Sequence, residues 1–400
     1  MINRRSFVSS SSALAAGLSV LSVAPPAAAA PAARAGAGSG RLPAEYDPRG
    51  AIGRLERLPL LDLESRQDFM AAVTAFSTTG ELAAATRERG IAILKARGLD
   101  PTQDLPVETA TALLESDPVI AMRDRVWFSA HQYEHDILDE YFHRHAERYL
   151  AVLEATDTSG PGSLELDPAL HIPEYTRHEI HQQPGGYVGN AFAGHLYHYA
   201  TNMFYRGTND QDQRHEAYAA GCPIPTDGRV NRVLDLGTGI GQLAVAMKER
   251  FAHATVTGLD VAAPMLRYAH MRAVDLDRDV TFTQRLAEDT RYPDNHFDIV
   301  ISYILFHEVT ADASRKIIAE AHRILRPGGV FYPLDFNLAA APSALRRYGE
   351  WKDHHWNNER WRLEHASVDF DGEMRKVGFR VDDQSDDRSI FGKIIGFKAA

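Results

Sequence analysis

The sequence predicts a doubly wound, mostly parallel α/β sheet in residues 228–400, preceded by a mainly helical region in residues 41–220. Two observations predict the sheet: short β-rich runs alternate with helical stretches after Gly228, and a glycine-rich turn joins the first run to the first helix. Before Gly228, apolar residues such as Leu138 and Phe142 recur at helical spacing. The composition is typical of a globular protein, since 44% of the 400 residues are hydrophobic and 24% are charged.

Strands and helices are expected to alternate along the α/β part. The predicted strands are 230–236, 255–259, 280–282, 297–302, 330–334, 379–381 and 390–397. The predicted helices run from the glycine-rich turn through 251, over 264–273 and over 311–325. An insert, residues 338–376, separates the fifth and sixth strands. In the helical region, the clearest helical stretch is 118–155, and another helix is expected around 187–205.

Charge and cysteine content exclude several classes of protein. The net charge is −11, and an acidic surface repels phosphate backbones, which argues against nucleic acid as a partner. Cys222 is the single cysteine of the sequence, so neither an intramolecular disulfide nor a cysteine-based zinc site is available. Beyond the N-terminal segment, no apolar run reaches the roughly 18 residues of a transmembrane helix.

Residues 1–36 have the pattern of an export signal. Arg4 and Arg5 are followed by a mildly apolar stretch and then by an Ala/Pro-rich run. The paired arginines, with Phe7 two positions after the second, resemble a twin-arginine signal. Export to the periplasm or beyond is therefore expected, with a cytoplasmic location if the signal is inefficient. A disordered Ala-rich tail and a misassigned start codon are the alternatives.

The glycine-rich turn at 233–241 follows the first strand of the α/β part. Gly237, Gly239 and Gly241 are spaced G-x-G-x-G, which differs from the G-x-G-x-x-G of dinucleotide-binding folds. Glycines allow the backbone to approach a ligand closely, although a plain tight turn would also use them. Asp260 ends the next strand, 19 residues after Gly241, where a carboxylate can accept hydrogen bonds from both ribose hydroxyls.

With these residues the chain resembles class I S-adenosylmethionine-dependent methyltransferases, of the small-molecule type with a methyltransferase 11/25-like domain. Five segments carry the resemblance in order: 233–241, 259–269, 287–300, 325–329 and 378–379. The resemblance implies a seven-stranded Rossmann-like sheet. It also implies S-adenosyl-L-methionine as the cofactor and methyl transfer to a small molecule by direct displacement.

The resemblance also implies roles for individual residues. The methionine part of the cofactor would be lined by the turn residues Gly237, Thr238, Gly239 and Gly241, with Asp235 near its amino group and Ser302 facing the methionine end. Asp260 with Val261 would hold the ribose. Ala287 and Glu288 would contact the adenine. One position departs from the family pattern, because Leu286 stands where the family often has an adenine-contacting Asp. Either the backbone of Ala287 contacts the adenine alone, or Glu288 or Asp289 substitutes.

Candidate catalytic residues follow the fourth strand of the domain. Tyr303, His307 and Glu308 would lie on the substrate side of the cofactor, where a general base helps if the acceptor is a hydroxyl or a carbon acid. His307 is interpreted as a base or an orienting group, and a packing or capping histidine is the alternative.

The acceptor site is expected between the helical region and the insert. The insert contains Trp351, Trp356 and Trp361, which either line the mouth of an acceptor pocket for a flat or apolar molecule or pack the insert onto the sheet. Histidines occur in close pairs at 131/135, 178/181 and 195/198. No motif ties these pairs together, so no metal ligands are assigned, and His195 or His198 is expected to line the acceptor pocket.

Three functional hypotheses follow from the sequence. The leading one is a methyltransferase that acts on a small molecule. The second is a non-catalytic, exported protein of the same fold that binds S-adenosylmethionine or a nucleoside, because the cofactor is made in the cytoplasm. The third is a histidine-rich metalloprotein that reuses the fold.

Overall fold

The computed structural model describes residues 50–336, 343–384 and 391–399. The predicted signal at 1–36 lies outside the described residues, as do the start of the helical region and residues 338–342 of the insert. Among the described residues, none of the helices has the length and apolar character needed to cross a bilayer.

A mixed sheet of eight described strands forms the centre of the fold. The strands of the chain are β1 (Ala51–Ile52), β2 (Leu55–Glu56), β3 (Ser163–Glu165), β4 (Arg232–Leu236), β5 (Thr255–Asp260), β6 (Thr281–Gln284), β7 (Phe297–Tyr303), β8 (Leu325–Phe336), β9 (Phe379–Asp383) and β10 (Phe391–Lys398). The sheet order is β3-β6-β5-β4-β7-β8-β10-β9, and β1 pairs only with β2 in a separate hairpin. The neighbours from β3 to β8 are parallel, whereas β10 is antiparallel to both β8 and β9. This confirms the predicted fold class.

Helices precede the sheet and cover both of its faces. They are α1 (Leu61–Thr78), α2 (Glu81–Ala96), α3 (Val107–Leu114), α4 (Pro118–Arg144), α5 (Ala146–Thr156), α6 (Gly186–Gly189), α7 (Ala193–Phe204), α8 (Gln213–Gly221), α9 (Gln242–Arg250), α10 (Ala263–Asp275), α11 (Ala311–Ile324), α12 (Ala344–Trp356), α13 (Arg362–His365) and α14 (Phe370–Lys376). The predicted helical stretch 118–155 is two helices, because His145 has a non-helical conformation at φ −112° and ψ 27°.

The seven predicted strands are all present, and the sheet has one strand more. The additional strand, β3, comes from the region before residue 220 and pairs in parallel with β6, with Leu164 opposite Phe282. Its three residues, Ser-Leu-Glu, are too few to show a strand period, so no sequence pattern predicts it. The sheet therefore includes a strand from the predicted helical region.

Two apolar clusters lie on opposite faces of the sheet. On one face, residues of α9 and α10 such as Leu243 and Leu266 pack against Val233 and Ile299. On the other, residues of α11 and α14 such as Ile317 and Met374 pack against the sheet. Helices on both faces of a mostly parallel sheet are the doubly wound arrangement that the alternation predicted.

The helical region and the insert pack onto this α/β core. Leu138 of α4 lies with Phe192 and Leu196 in a third apolar cluster. From α7, Ala193 packs against Tyr268 of α10, so this helix connects the helical region to the α/β core. The insert begins with α12, which packs on α3. These contacts place both elements over the carboxyl ends of the strands.

Candidate cofactor pocket and adjoining histidine–glutamate cluster

The glycine-rich turn after β4 has a backbone that requires glycine. Gly237, Gly239 and Gly241 have φ values of 66°, 54° and 75°, in the left-handed region that side chains disfavour. A Cβ atom on Gly237 would lie 2.6 Å from Leu305 Cδ1, and one on Gly241 would lie 2.7 Å from Phe282 Cζ. A Cβ atom on Gly239 would lie 3.7 Å from Met265 Cε, which is an ordinary contact distance. The turn is therefore fixed by close packing at both ends and leaves room for a ligand at its centre.

Asp260, the last residue of β5, holds this turn in place. Its Oδ2 accepts a hydrogen bond from the Gly239 N–H at 2.9 Å, and its Oδ1 accepts one from the Ala262 N–H at 2.9 Å. Burial raises the pKa of Asp260, and these backbone N–H donors act in the opposite direction. The carboxylate thus lies beside the turn with acceptor capacity left for a ligand.

Asp235 lies in β4, behind the turn. It is 1% exposed, and its Oδ2 accepts a hydrogen bond from the Thr238 hydroxyl at 2.7 Å. Its Oδ1 has no hydrogen-bond partner among the described residues. Burial raises the pKa of Asp235 to about 7, and the hydrogen bond from Thr238 acts against this increase.

Asp235→Asn is expected to stabilise the ligand-free protein above neutral pH. Because the folded-state pKa of Asp235, about 7, exceeds the ordinary aspartate value of 3.8, the protonated side chain favours folding. That contribution is complete below about pH 4 and is lost as the pH rises through about 7. The free energy of unfolding of Asp235→Asn, relative to the parent protein, should therefore rise by a few kcal/mol between pH 4 and pH 8. Urea titrations at both pH values measure it, and a pH-independent difference would contradict it.

A pocket opens between the turn and the helical region, with an empty volume of about 730 Å³ including its open side. It is lined by Tyr175, Tyr187, Tyr197, Gly237, Gly239, Leu259, Asp260, Val261, Met265, Leu286, Ala287, Glu288, Tyr303, Ile304, Leu305, Glu308, Val309 and Ile317. The predicted cofactor residues Gly237, Gly239, Asp260, Val261, Ala287 and Glu288 are among them. The predicted residues Asp235, Thr238, Gly241 and Ser302 are not on this wall, and all four are buried.

One side of the pocket is formed by residues 286–288. Leu286 presents an apolar side chain to the pocket, at the position where the family pattern often has an Asp. Glu288 also lines the pocket, and its Oε1 accepts a hydrogen bond from the Tyr175 hydroxyl at 2.6 Å. Asp289 is not part of the pocket wall. Of the two acidic residues that could substitute at this edge, the structure brings Glu288 to it.

Four tyrosines also line the pocket. Tyr175, Tyr187 and Tyr197 come from the helical region, and Tyr303 ends β7. Burial raises the pKa of Tyr197, Tyr187 and Tyr175. Only Tyr303 was predicted as a site residue. The other three have no motif around them, and only the packing of the helical region over the strand ends brings them to the pocket.

Two of the three predicted catalytic residues line the pocket, and the third is buried behind its wall. Tyr303 and Glu308 line the pocket. His307 is 1% exposed and absent from the pocket wall, and its Nδ1 donates a hydrogen bond to Asp335 Oδ1 at 2.6 Å. Burial alone would lower the pKa of His307, but the carboxylates of Asp335, Glu308 and Glu359 raise it well above its usual range. A histidine that keeps its proton at neutral pH is a poor base, which favours Glu308 for this role.

Behind Glu308 lies a cluster of four residues: His181, His307, Glu308 and Glu359. One potential ligand atom from each lies within 4.8 Å of the others. Burial would lower the pKa of His181, but Glu359 and Glu308 raise it to about 9, and the pKa of Glu359 is lowered to about 2 despite burial. His181 belongs to the 178/181 pair noted in the sequence, for which no metal ligands were assigned. Glu359 was not identified, because it is 178 residues away from His181 in sequence.

The tryptophans of the insert pack against other elements instead of lining the pocket. Trp351 stacks between Tyr348 and His355 of its own helix, with ring centroids 5.7 and 4.8 Å away, and it packs against the apolar cluster that α12 forms with α3. Trp356 contacts Phe128 edge to face, and the Trp361 Nε1–H donates to the Tyr175 carbonyl at 3.0 Å. Of the two interpretations of these residues, the structure supports packing.

Two of the three histidine pairs, 195/198 and 131/135, make contacts within the protein and do not line the pocket. His195 and His198 are each 5% exposed and pack against Tyr268, whose hydroxyl is 2.8 Å from His198 Nδ1. Burial lowers the pKa of each to about 3, and neither lines the pocket. In the pair on α4, His135 Nδ1 bonds to the His131 carbonyl at 3.0 Å. The expectation that His195 or His198 lines the acceptor pocket is therefore not met in the described pocket.

Part of the chain is similar to known proteins. Residues 233–329 match the family model described as a methyltransferase domain. Demethylmenaquinone methyltransferase of Thermus thermophilus is 40% identical over 105 residues, 26% of this chain and 47% of that protein. The ubiquinone/menaquinone biosynthesis C-methyltransferase UbiE of Bdellovibrio bacteriovorus is 35% identical over 112 residues, 28% of this chain and 47% of that protein. The chain thus spans about half the length of the curated relatives it matches.

A comparison with solved structures also finds a methyltransferase with partial similarity. Phosphoethanolamine N-methyltransferase 2 of Haemonchus contortus, solved with S-adenosyl-L-methionine, is 18% identical, with a TM-score of 0.38. The similarity covers 48% of this chain and 53% of that one.

Residues 233–329 therefore match a methyltransferase domain and lie within a mostly parallel, Rossmann-like sheet. The cofactor that this match indicates is S-adenosyl-L-methionine. The residues present fit this cofactor. The glycine turn leaves open space at Gly239, and the Asp260 carboxylate beside it can accept hydrogen bonds from ribose hydroxyls.

Proposed function

We propose that this protein transfers a methyl group from S-adenosyl-L-methionine to a small, flat, aromatic acceptor. The observation that carries the proposal is the single pocket that contains both the glycine turn with Asp260 and the tyrosines 175, 187, 197 and 303. Aromatic side chains at a pocket wall favour flat, apolar ligands. The names of two relatives refer to quinone biosynthesis, which is consistent with an acceptor of this shape.

Each side of the pocket has a role in this proposal. Asp260 binds the ribose hydroxyls, and the turn at Gly237 and Gly239 allows close backbone approach to the cofactor. When bound, the cofactor supplies a methyl group that is already activated by the sulfonium charge. Positioning is then the main task of the protein, and the tyrosines hold the acceptor against one face of the pocket. Glu308, at the pocket wall, accepts the proton that an acceptor hydroxyl or carbon acid loses.

The proposal is tested by binding and by turnover. Calorimetry with S-adenosyl-L-methionine should give a micromolar dissociation constant. Incubation with a panel of phenols and reduced quinones should then release S-adenosylhomocysteine, and Glu308→Gln should lower the rate at least about tenfold with little change in cofactor affinity. Cofactor binding without methyl transfer to any acceptor of the panel would favour the alternative, a non-catalytic binding protein of the same fold. Absence of cofactor binding would overturn both.

We also propose that residues 1–36 direct export by the twin-arginine route, on the pattern of Arg4, Arg5 and the small-residue run that follows. The paired arginines are the element that such a signal cannot lose. Replacing both with lysine preserves the charge and should abolish export of the tagged protein in cell fractionation. The control is Arg34→Lys, near the end of the segment, which should leave export unchanged. Equal export of the double variant would contradict the proposal.

A further inference from the structure

The cluster behind Glu308 contains the ligand types that bind a transition metal. His181 and His307 each offer Nε2, and Glu308 and Glu359 each offer a carboxylate oxygen. Imidazole and carboxylate together suit Zn²⁺, which is borderline in softness and accepts both nitrogen and oxygen ligands. We propose that these four residues bind one divalent transition-metal ion, Zn²⁺ above all, at the wall of the cofactor pocket.

The distances between the potential ligand atoms fit a tetrahedral ion. Bonds of about 2.0–2.2 Å to zinc place neighbouring ligand atoms about 3.3–3.6 Å apart. Glu308 Oε1 lies 3.4 Å from His307 Nε2 and 3.7 Å from His181 Nε2, and Glu359 Oε2 lies 4.0 Å from His307 Nε2. His181 Nε2 and Glu359 Oε1, 2.6 Å apart, form a direct hydrogen bond that an ion would replace. Small side-chain rotations are sufficient to close the site.

Two buried carboxylate oxygens in the cluster have no hydrogen-bond donor. These are Glu308 Oε2 and Glu359 Oε2, each without a partner among the described residues. Glu359 is only 6% exposed, so water does not readily replace the missing donor. Buried carboxylate oxygens without a donor carry a substantial energetic cost, and a bound cation removes it.

Neighbouring groups hold both histidines with Nε2 directed into the cluster. His307 Nδ1 donates to Asp335 Oδ1 at 2.6 Å, so Nε2 is the ring nitrogen that can bind an ion, once the ion has displaced its proton. His181 Nδ1 is 2.9 Å from the Tyr187 hydroxyl. A carboxylate or hydroxyl on the far nitrogen fixes the tautomer and orientation of metal-binding histidines in this way.

The ligands come from three segments, each with backbone strain close to the cluster. His181 itself, Ile304 before His307, and Asn358 before Glu359 have φ values of 51°, 52° and 55°. Such conformations are costly for residues other than glycine, and they concentrate at functional sites. An ion here would join the helical region, the turn after β7 and the insert. Because Glu308 also lines the cofactor pocket, the ion would brace the wall of that pocket. Glu308 is a ligand in the metal-bound protein, so the proton acceptance proposed above applies to the metal-free protein.

Metal analysis of the untagged full-length protein tests this inference. After treatment with EDTA and addition of Zn²⁺, elemental analysis should give close to one ion per chain, bound at micromolar concentrations or tighter. Zinc should raise the unfolding midpoint of the metal-free protein by about 3 °C when present at about 100 times its dissociation constant. His181→Gln and Glu359→Gln should each weaken zinc binding at least about 100-fold, and neither readout depends on methyl transfer.

A matched variant in the insert provides the control. Glu364→Gln replaces a glutamate that only accepts a hydrogen bond from the Ala311 N–H, and it should retain the zinc affinity of the parent protein. Less than about a tenth of an ion per chain in the parent protein would overturn the proposal, since the cluster would then be held by hydrogen bonds and ion pairs alone. Equal zinc affinity of parent, His181→Gln and Glu359→Gln would also overturn it, because the ion would then bind elsewhere.

Discussion

Asp260→Ala is expected to weaken binding of S-adenosyl-L-methionine at least about 100-fold. The carboxylate offers acceptors for the ribose hydroxyls, and hydrogen bonds to a charged group are each worth about 1.5–3 kcal/mol, while about 1.4 kcal/mol corresponds to a tenfold change in affinity. It also accepts the N–H of Gly239 at 2.9 Å, so its loss releases the centre of the glycine turn. Calorimetry on the parent protein and the variant measures the effect.

Two further variants separate binding from folding at this position. Asp260→Asn keeps one carbonyl acceptor and should lose about tenfold in affinity, less than the alanine variant. Asp279, with a side chain 69% exposed, lies away from the pocket, so Asp279→Ala should bind like the parent protein. If Asp260→Ala folds with an unchanged thermal midpoint and still binds the cofactor within about threefold, this assignment of the site is wrong.

Asp212→Ala is expected to lower the free energy of unfolding by about 3–5 kcal/mol, the usual cost of removing one partner of a buried ion pair. Asp212 is fully buried and bonds Arg272, whose side chain is 4% exposed. It also accepts hydrogen bonds from Gln242 Nε2 at 2.6 Å and from Arg54 Nη1 at 3.1 Å. Its removal leaves the Arg272 cation buried without a carboxylate. Urea titration near pH 7 measures the loss.

A double variant and a surface control make this prediction specific. Asp212→Ala combined with Arg272→Met removes both charges and should recover much of the lost stability, since an apolar replacement of a buried pair is often close to neutral. Glu216 contacts the same Arg54 at 3.0 Å, but its side chain is 43% exposed. Glu216→Ala should therefore cost no more than about 1 kcal/mol. Equal losses for Glu216→Ala and Asp212→Ala would refute the explanation.

The sequence predicted the α/β sheet well because its signals are local. Each strand from β4 to β10 is a β-rich run between turns, and the three glycines at 237–241 lie within five positions of each other. β3 could not be predicted in this way, since three residues carry no period and its pairing with Thr281–Thr283 spans more than a hundred positions. Long-range pairing of this kind depends on the topology of the whole sheet.

The candidate site likewise contains residues that local sequence predicts and residues that only tertiary packing brings together. The sequence by itself determined the glycine turn and Asp260, because a turn that excludes side chains and a carboxylate at the next strand end are recognisable from spacing. Only the tertiary structure decided that Tyr175, Tyr187 and Tyr197 face the same pocket and that His181 and Glu359 meet His307. His181 and Glu359 alone are 178 positions apart. Packing of the helices and the insert over the strand ends brings these residues together, and no local pattern encodes that packing.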